Sequence, residues 1–178
     1  MKKQGGFTLI EVIVVAGIIA ILAGILVPLI FKEIDEARTS RASADIRSIS
    51  TALIVMKKDT GQWPITVSCT PLITLLTGGG AVPASLAAGW AISGVNNLDN
   101  YLSINDNNCS PSTWKGPYLA IANADPWGNA YLINADSFVS VANPKPPIWI
   151  ISAGPDGVVN TAATDGGPAN DDIGLRLR

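Results

Sequence analysis

The chain is 178 residues long, 48% apolar and 15% charged, with a formal net charge of −2. That leaves room for one modest folded domain beside any membrane segment, and a charge so near balance argues against nucleic acid as a partner. No histidine occurs anywhere, which excludes Ser-His-Asp and Cys-His catalysis, most zinc sites and a histidine pH switch.

The N-terminus reads GGFTLIEVIVVAGIIAILAGILVPLIF. Between Glu11 and Lys32 lie 20 residues without a charge, about 30 Å of helix and one hydrocarbon thickness. Lys2 and Lys3 precede the run, so the short leader is expected in the cytoplasm and the body on the far side. An ordinary cleaved signal peptide fits poorly. The run is too long, it carries a carboxylate near its start, and Lys32, Glu33, Asp35 and Glu36 follow it where a small-x-small cleavage site belongs. Ala16, Ala20, Ala23 and Gly24, with Gly17 alongside, give a small-residue face on which helices can approach closely. Pro28 has no N–H to offer the carbonyl of Gly24, which predicts a kink or local melting there.

The stretch KKQGGFTLIEVIVVAGIIAIL resembles the class III leader and helix start of type IV pilins and pseudopilins. The likeness runs through the basic leader, the Gly6-Phe7 junction, Thr8-Leu9-Ile10, Glu11 and the apolar helix dotted with Gly and Ala. It implies that a prepilin peptidase cuts between Gly6 and Phe7, releasing residues 1–6, and that the new amine on Phe7 is methylated. It also gives Glu11 a purpose. A carboxylate within a bilayer costs about 3 kcal/mol on insertion scales, and in a filament core the family pairs this glutamate with the Phe7 amine of a neighbouring subunit, which would set axial register. The alternative is a glutamate that snorkels to the interface. Pro28 falls where pilin-like helices commonly carry proline, ahead of which the helix can unwind in a filament.

From Lys32 the pattern turns amphipathic. Ile46, Ile49, Leu53 and Met56 fall on one helical face, with Asp45, Arg47, Lys57 and Lys58 off it. Gly61 suits the position after the helix end and Pro64 is a stop. One helix is therefore predicted from about Phe7 to Thr60, with residues 7–31 in the membrane and 32–60 on the outer domain. Residues 65–115 read as a loop-rich connector with one or two short helical turns. Cys69 and Cys109 bracket most of it. In an exported domain they are expected to form one disulfide, worth about 4 kcal/mol by loop closure, the alternative being two unpaired thiols. Beyond it, turns at Trp127-Gly128-Asn129, Asn134-Ala135-Asp136 and Asn143-Pro144 separate three predicted strands at Ala130–Ile133, Ser137–Val141 and 148–152. These form an antiparallel meander laid across the helix. The fold class is thus α+β: a long N-terminal helix on a small antiparallel sheet of about three strands (116–152), ending in an Asp/Gly-rich loop (153–178).

The ordered pieces GPYL, DPWGNAY, ISAGPDG and DDI, from Gly116 to Ile173, resemble the C-terminal half of the major pseudopilins of type II secretion systems. Between Lys145 and Arg176 there is no basic residue, yet Asp156, Asp165, Asp171 and Asp172 all occur. Four uncompensated carboxylates repel one another, and a hard cation with 6–8 oxygen ligands cancels that repulsion. The resemblance implies a structural calcium held by Asp156 and Asp172, then Asp171, with Asn170 and Asp165 as further candidates. This chain departs from the family pattern in reading Asn170-Asp171-Asp172-Ile173 and in its loose VVNTAATDGGPAN loop. The alternative is a solvated acidic loop without an ion.

The resemblance implies a structural filament subunit with no catalytic residues, in the inner membrane by a single pass with its C-terminal domain in the periplasm. Its partners would be further copies of itself, minor pseudopilins, the prepilin peptidase, the inner-membrane assembly platform, and lipid before assembly. The assembled periplasmic fibre would drive export of folded proteins. A type IV pilin of a surface fibre, for adhesion, motility or DNA uptake, is the second reading. A membrane-anchored hydrolase using the Asp cluster is the third, but it gives the leader motif no reason to exist.

Overall fold

The computed structural model describes residues 6–64, 73–105 and 113–177. Cys69 and Cys109 lie outside the described residues, as does most of the leader. The elements in chain order are α1 (Leu9–Thr60), β1 (Leu75–Thr77), β2 (Ser85–Leu86), β3 (Val95–Asn97), α2 (Asp99–Leu102), β4 (Leu132–Asn134), α3 (Asp136–Val139), β5 (Trp149–Ser152), β6 (Val158–Val159) and β7 (Ile173–Arg176). The chain divides into two compact units, one ending at Ala37 and the other beginning at Arg38.

In the first unit α1 has no buried residue. Its apolar side chains are open on every side, with Ile18, Ile21 and Ile25 each more than half exposed. A helix that is hydrophobic all round requires an apolar surrounding, and this one has the length and composition to cross a membrane. It continues as helix through Pro28, so the local melting expected there is absent.

In the second unit the predicted face of α1 is the buried one: Ala42, Ile46, Ile49, Ser50, Ala52, Leu53 and Met56. The helix ends as its sequence predicts. Gly61 takes φ 74° and its N–H returns to the Lys57 carbonyl at 2.8 Å. The next turn is pinned by Trp63, which stacks on Phe138 with centroids 4.7 Å apart and carries Lys57 Nζ 4.1 Å above its ring.

The sheet runs β3-β1-β4-β5-β7. Three of its pairings are antiparallel, β1–β4, β4–β5 and β5–β7, while β3 joins β1 in parallel. It is therefore five-stranded and mixed, larger than the three-stranded meander read from the sequence. Its extra strands come from two places taken for loop: β1 and β3 from the connector, and β7 from the C-terminal segment. The predicted strand at Ser137–Val141 is not one. Residues Asp136–Val139 form a helical turn, closed by Phe138 N–H to the Ala135 carbonyl, because burial of Phe138 against Trp63 fixes the chain there.

Both faces of the sheet are covered. Leu76, Ile133 and Ile150 join the α1 stripe in one core, while Leu75, Leu132 and Ile151 face a second with Val159 and, at its edge, Leu86 and Trp90. The DPWGN turn is organised by Asp125, which is 5% exposed. Its Oδ1 accepts the N–H groups of Trp127 and Asn129 at 3.0 and 2.8 Å, and its Oδ2 accepts the Ser152 hydroxyl at 2.6 Å. Replacing Asp125 by Ala leaves the buried Ser152 hydroxyl and two half-buried turn N–H groups unpaired, so the full chain in detergent should lose about 2–3 kcal/mol in chemical denaturation. An unchanged midpoint would show that Asp125 does not hold the turn.

Candidate functional site

Two clusters carry chemistry. The first is the start of α1. Gly6 and Phe7 precede the helix and are exposed, and a Cβ built on Gly6 meets nothing, so the chain's own fold does not demand glycine there. Thr8 and Glu11 close a capping box. The Thr8 N–H and hydroxyl both donate to Glu11 Oε2 at 2.8 Å, and the Glu11 N–H returns to Thr8 Oγ1 at 3.4 Å. Two helix-end donors are satisfied, and the carboxylate lies at the positive end of the helix dipole. The T-x-x-E spacing carried this signal in the sequence, and the role of Thr8 was missed. With both Thr8 donors on Oε2, no described residue donates to Oε1.

The second cluster is the C-terminal loop. Gly154 and Gly157 turn the chain with φ of 64° and 69°. At Gly154 a Cβ would overlap the carbonyl oxygen of Asp171, so only glycine lets the two strands of the loop meet. Asp156 is fastened on three sides. Its Oδ1 accepts the Val158 N–H at 2.7 Å, its Oδ2 accepts Asn160 Nδ2 at 3.3 Å, and its own N–H donates to Asp171 Oδ2 at 3.0 Å.

Asp172 is the buried member, 7% exposed. Its Oδ2 accepts three donors: the Asn160 N–H at 2.8 Å, and the Thr161 N–H and hydroxyl, both at 2.6 Å. Its Oδ1 is buried and accepts no hydrogen bond from any described residue. Burial raises the pKa of this carboxyl, the Thr161 and Asn160 donors oppose the rise, and the charge of Asp171 adds to it. Asn170, immediately before Asp171, takes φ 53°, a conformation Asn tolerates. Asp165 differs from the rest: its Oδ2 caps the Ala162 N–H within its own turn at 2.8 Å.

The structure thus brings Asp156, Asp171 and Asp172 into one bonded loop. Asn160 and Thr161, which the sequence reading passed over, supply the clamp; no spacing signal marks them, since Thr161 and Asp172 are separated by 10 loop residues. All candidate donors are hard oxygens, and Asp172 Oδ1 is a buried acceptor lacking a donor, the arrangement a hard cation satisfies. Among the described residues, no three acidic side chains stand close enough to hold an ion by themselves, so backbone carbonyls and water would complete any coordination.

A membrane-length apolar helix opened by a Thr-x-x-Glu cap, and continuing as the spine of a small sheet domain, defines the pilin-like class. Comparison with known proteins narrows it. Residues 1–27 match the family described as prokaryotic N-terminal methylation motif, and residues 95–172 match the family described as type II secretion system protein G. The chain is similar to the type II secretion system core protein G of Pseudomonas aeruginosa, 31% identical over 97% of this chain and 95% of that protein. It is likewise similar to that of Escherichia coli, 31% identical over 89% and 87%, and that of Klebsiella pneumoniae, 27% identical over 98% and 95%. No solved structure matches the chain. The chain belongs to the type II secretion system core protein G family, the major pseudopilins.

The two loop glycines should respond differently to a methyl group. Gly154→Ala combines an unfavourable φ with a backbone collision and should cost about 3 kcal/mol or more. Gly157→Ala, whose Cβ would lie 3.6 Å from Asn129 Nδ2, should cost only the ~1 kcal/mol of its left-handed conformation. Thermal unfolding of both variants checks this, and equal losses would contradict the reading of Gly154 as the contact point.

Proposed function

We propose that this pseudopilin is cut between Gly6 and Phe7 by a prepilin peptidase, methylated on the Phe7 amine and held in the inner membrane by residues 7–31 with residues 32–178 in the periplasm. From there it polymerises into a fibre that drives folded proteins across the outer membrane. The observation that carries the reading is the charge-free stretch of α1 over residues 12–31, apolar on every side and without a buried residue, in a chain of the core protein G family. Such a surface is satisfied by lipid before assembly and by the corresponding helices of neighbouring copies after it. The chain contributes assembly surfaces and no catalysis. Its partners are other copies of itself, minor pseudopilins and the inner-membrane assembly platform. The family match supports secretion over the surface-fibre alternative.

In this account Glu11 has two successive roles. Within one chain its Oε2 caps the helix through Thr8. In the fibre its Oε1 receives the methylated Phe7 amine of a neighbouring copy, which offsets the cost of a carboxylate in the membrane and fixes the axial step. Glu11→Ala should therefore be inserted and processed normally, yet enter sheared or cross-linked fibres at least about tenfold less than the parent. Normal incorporation would remove Glu11 from the assembly mechanism.

The acidic loop is proposed to hold a structural calcium, with Asp156 and Asp172 as the principal ligands, Asp171 next, and Asn170 and Asp165 as candidates. When bound, the ion supplies positive charge to a loop with no basic residue between Lys145 and Arg176. A ligand at 100 times its Kd stabilises the folded state by about 2.7 kcal/mol. Saturating calcium should accordingly raise the Tm of the full chain in detergent by several degrees, and EGTA should reverse it. A Tm indifferent to both would refute the cation reading.

A further inference from the structure

The acidic loop is not built from the C-terminal segment alone. β6 pairs with β2 in parallel, Ser85 opposite Val158 and Leu86 opposite Val159. The two chains remain joined past the ladder: the Ala87 N–H donates to the Val159 carbonyl at 2.9 Å, and the Ala163 N–H to the Ala88 carbonyl at 3.0 Å. Gly89, at φ 86°, lies so close to Ala163 that an added Cβ would stand 3.0 Å from the alanine methyl. Trp90 then closes the seam, its indole Nε1–H donating to the Thr161 carbonyl at 2.8 Å. Thr161 is fully buried, and its N–H and hydroxyl are the donors that grip Asp172 Oδ2. A continuous path of hydrogen bonds therefore leads from Trp90 through Thr161 to the carboxylate whose other oxygen is buried without a donor.

We propose that Trp90 is a positioning residue for the cation: by holding the Thr161 carbonyl it fixes the turn that grips Asp172 Oδ2, so that Oδ1 is presented to a hard divalent ion and the connector segment 85–90 orders together with the acidic loop. This rests on the cation reading above. The segment is remote in sequence from every candidate ligand, 66 positions separating Trp90 from Asp156, and it belongs to the connector, the part of the chain with no motif of its own. Coupling free energy is reciprocal. If an ordered 85–90 segment tightens ion binding, the ion must stabilise that segment by the same factor. The Asn160 N–H still reaches Asp172 when Trp90 is changed, so the effect of losing the indole donor is partial: about fivefold in affinity, the equivalent of one hydrogen bond of ~1 kcal/mol.

The test is calorimetric titration of calcium chloride into the full-length chain in detergent micelles, for the parent, Trp90→Phe and Thr161→Val, with amide hydrogen exchange over residues 85–90 and 158–163 with and without calcium. Trp90→Phe keeps an aromatic ring against the second core and loses the indole donor, with some apolar volume. It should weaken calcium binding about fivefold and Thr161→Val about tenfold, while calcium protects the amides of Ala87 and Ala163 in the parent and protects them less in Trp90→Phe. A Trp90→Phe protein of lower Tm but unaltered calcium affinity overturns the proposal, because a merely structural tryptophan would behave that way. Should neither variant fold, the parent still decides: calcium binding without added protection at 85–90 overturns it. If the parent takes up no calcium at all, the cation reading falls and the coupling falls with it, an outcome distinct from the other two.

Discussion

Ala42, Ile46, Ile49, Ala52, Leu53 and Met56 lose nearly all their surface to one core shared with Leu76, Ile133 and Ile150 of the sheet. Each large side chain in that contact is worth about 1.5–3 kcal/mol of burial. The remainder of the second unit depends on this contact, because short strands of 2–4 residues have little stability until one face is covered. The same helix carries an opposite demand at its other end, where apolar residues are exposed and none is buried by the described residues. A sequence that packs one stretch of a helix and leaves another unsatisfied fits the proposed course of assembly, in lipid first and among copies of itself afterwards.

The helix was legible because its code is local. A charge-free run of membrane length, a stripe at helical spacing and a Gly-then-Pro ending were all present in the residues, and the element runs where they put it. The strands were less legible for a physical reason. Both faces of the sheet are buried, so β5 reads Trp-Ile-Ile-Ser with no alternation to mark its register. β1 and β3 hide in a connector rich in turn residues, and β7 is a four-residue strand behind an acidic loop. The segment Asp136–Val139 misled because alternating residues there suggested a strand, whereas the stacking of Phe138 on Trp63, set by the end of a distant helix, decided otherwise.

The acidic loop shows the same division. Its composition disclosed four carboxylates without compensation, and that was enough to single it out. It did not disclose which carboxylate matters most, since this depends on burial. Asp172 is enclosed and gripped on one oxygen only, while Asp165 caps its own turn. Nor did it disclose that the connector braces the loop, because the pairing of β2 with β6 spans about seventy residues and leaves no pattern in either segment. The loop and connector are thus held by each other.

The account stands or falls on the chain acting as a secretion fibre subunit. Deleting its gene and comparing the proteins of the periplasm, the culture supernatant and the sheared surface fibres tests this directly. The account predicts that folded proteins normally released from the cell accumulate in the periplasm while surface fibres persist, and that the intact gene restores release. Undiminished secretion with the loss of one class of surface fibre would contradict it, and would assign the same helix and the same acidic loop to a pilus.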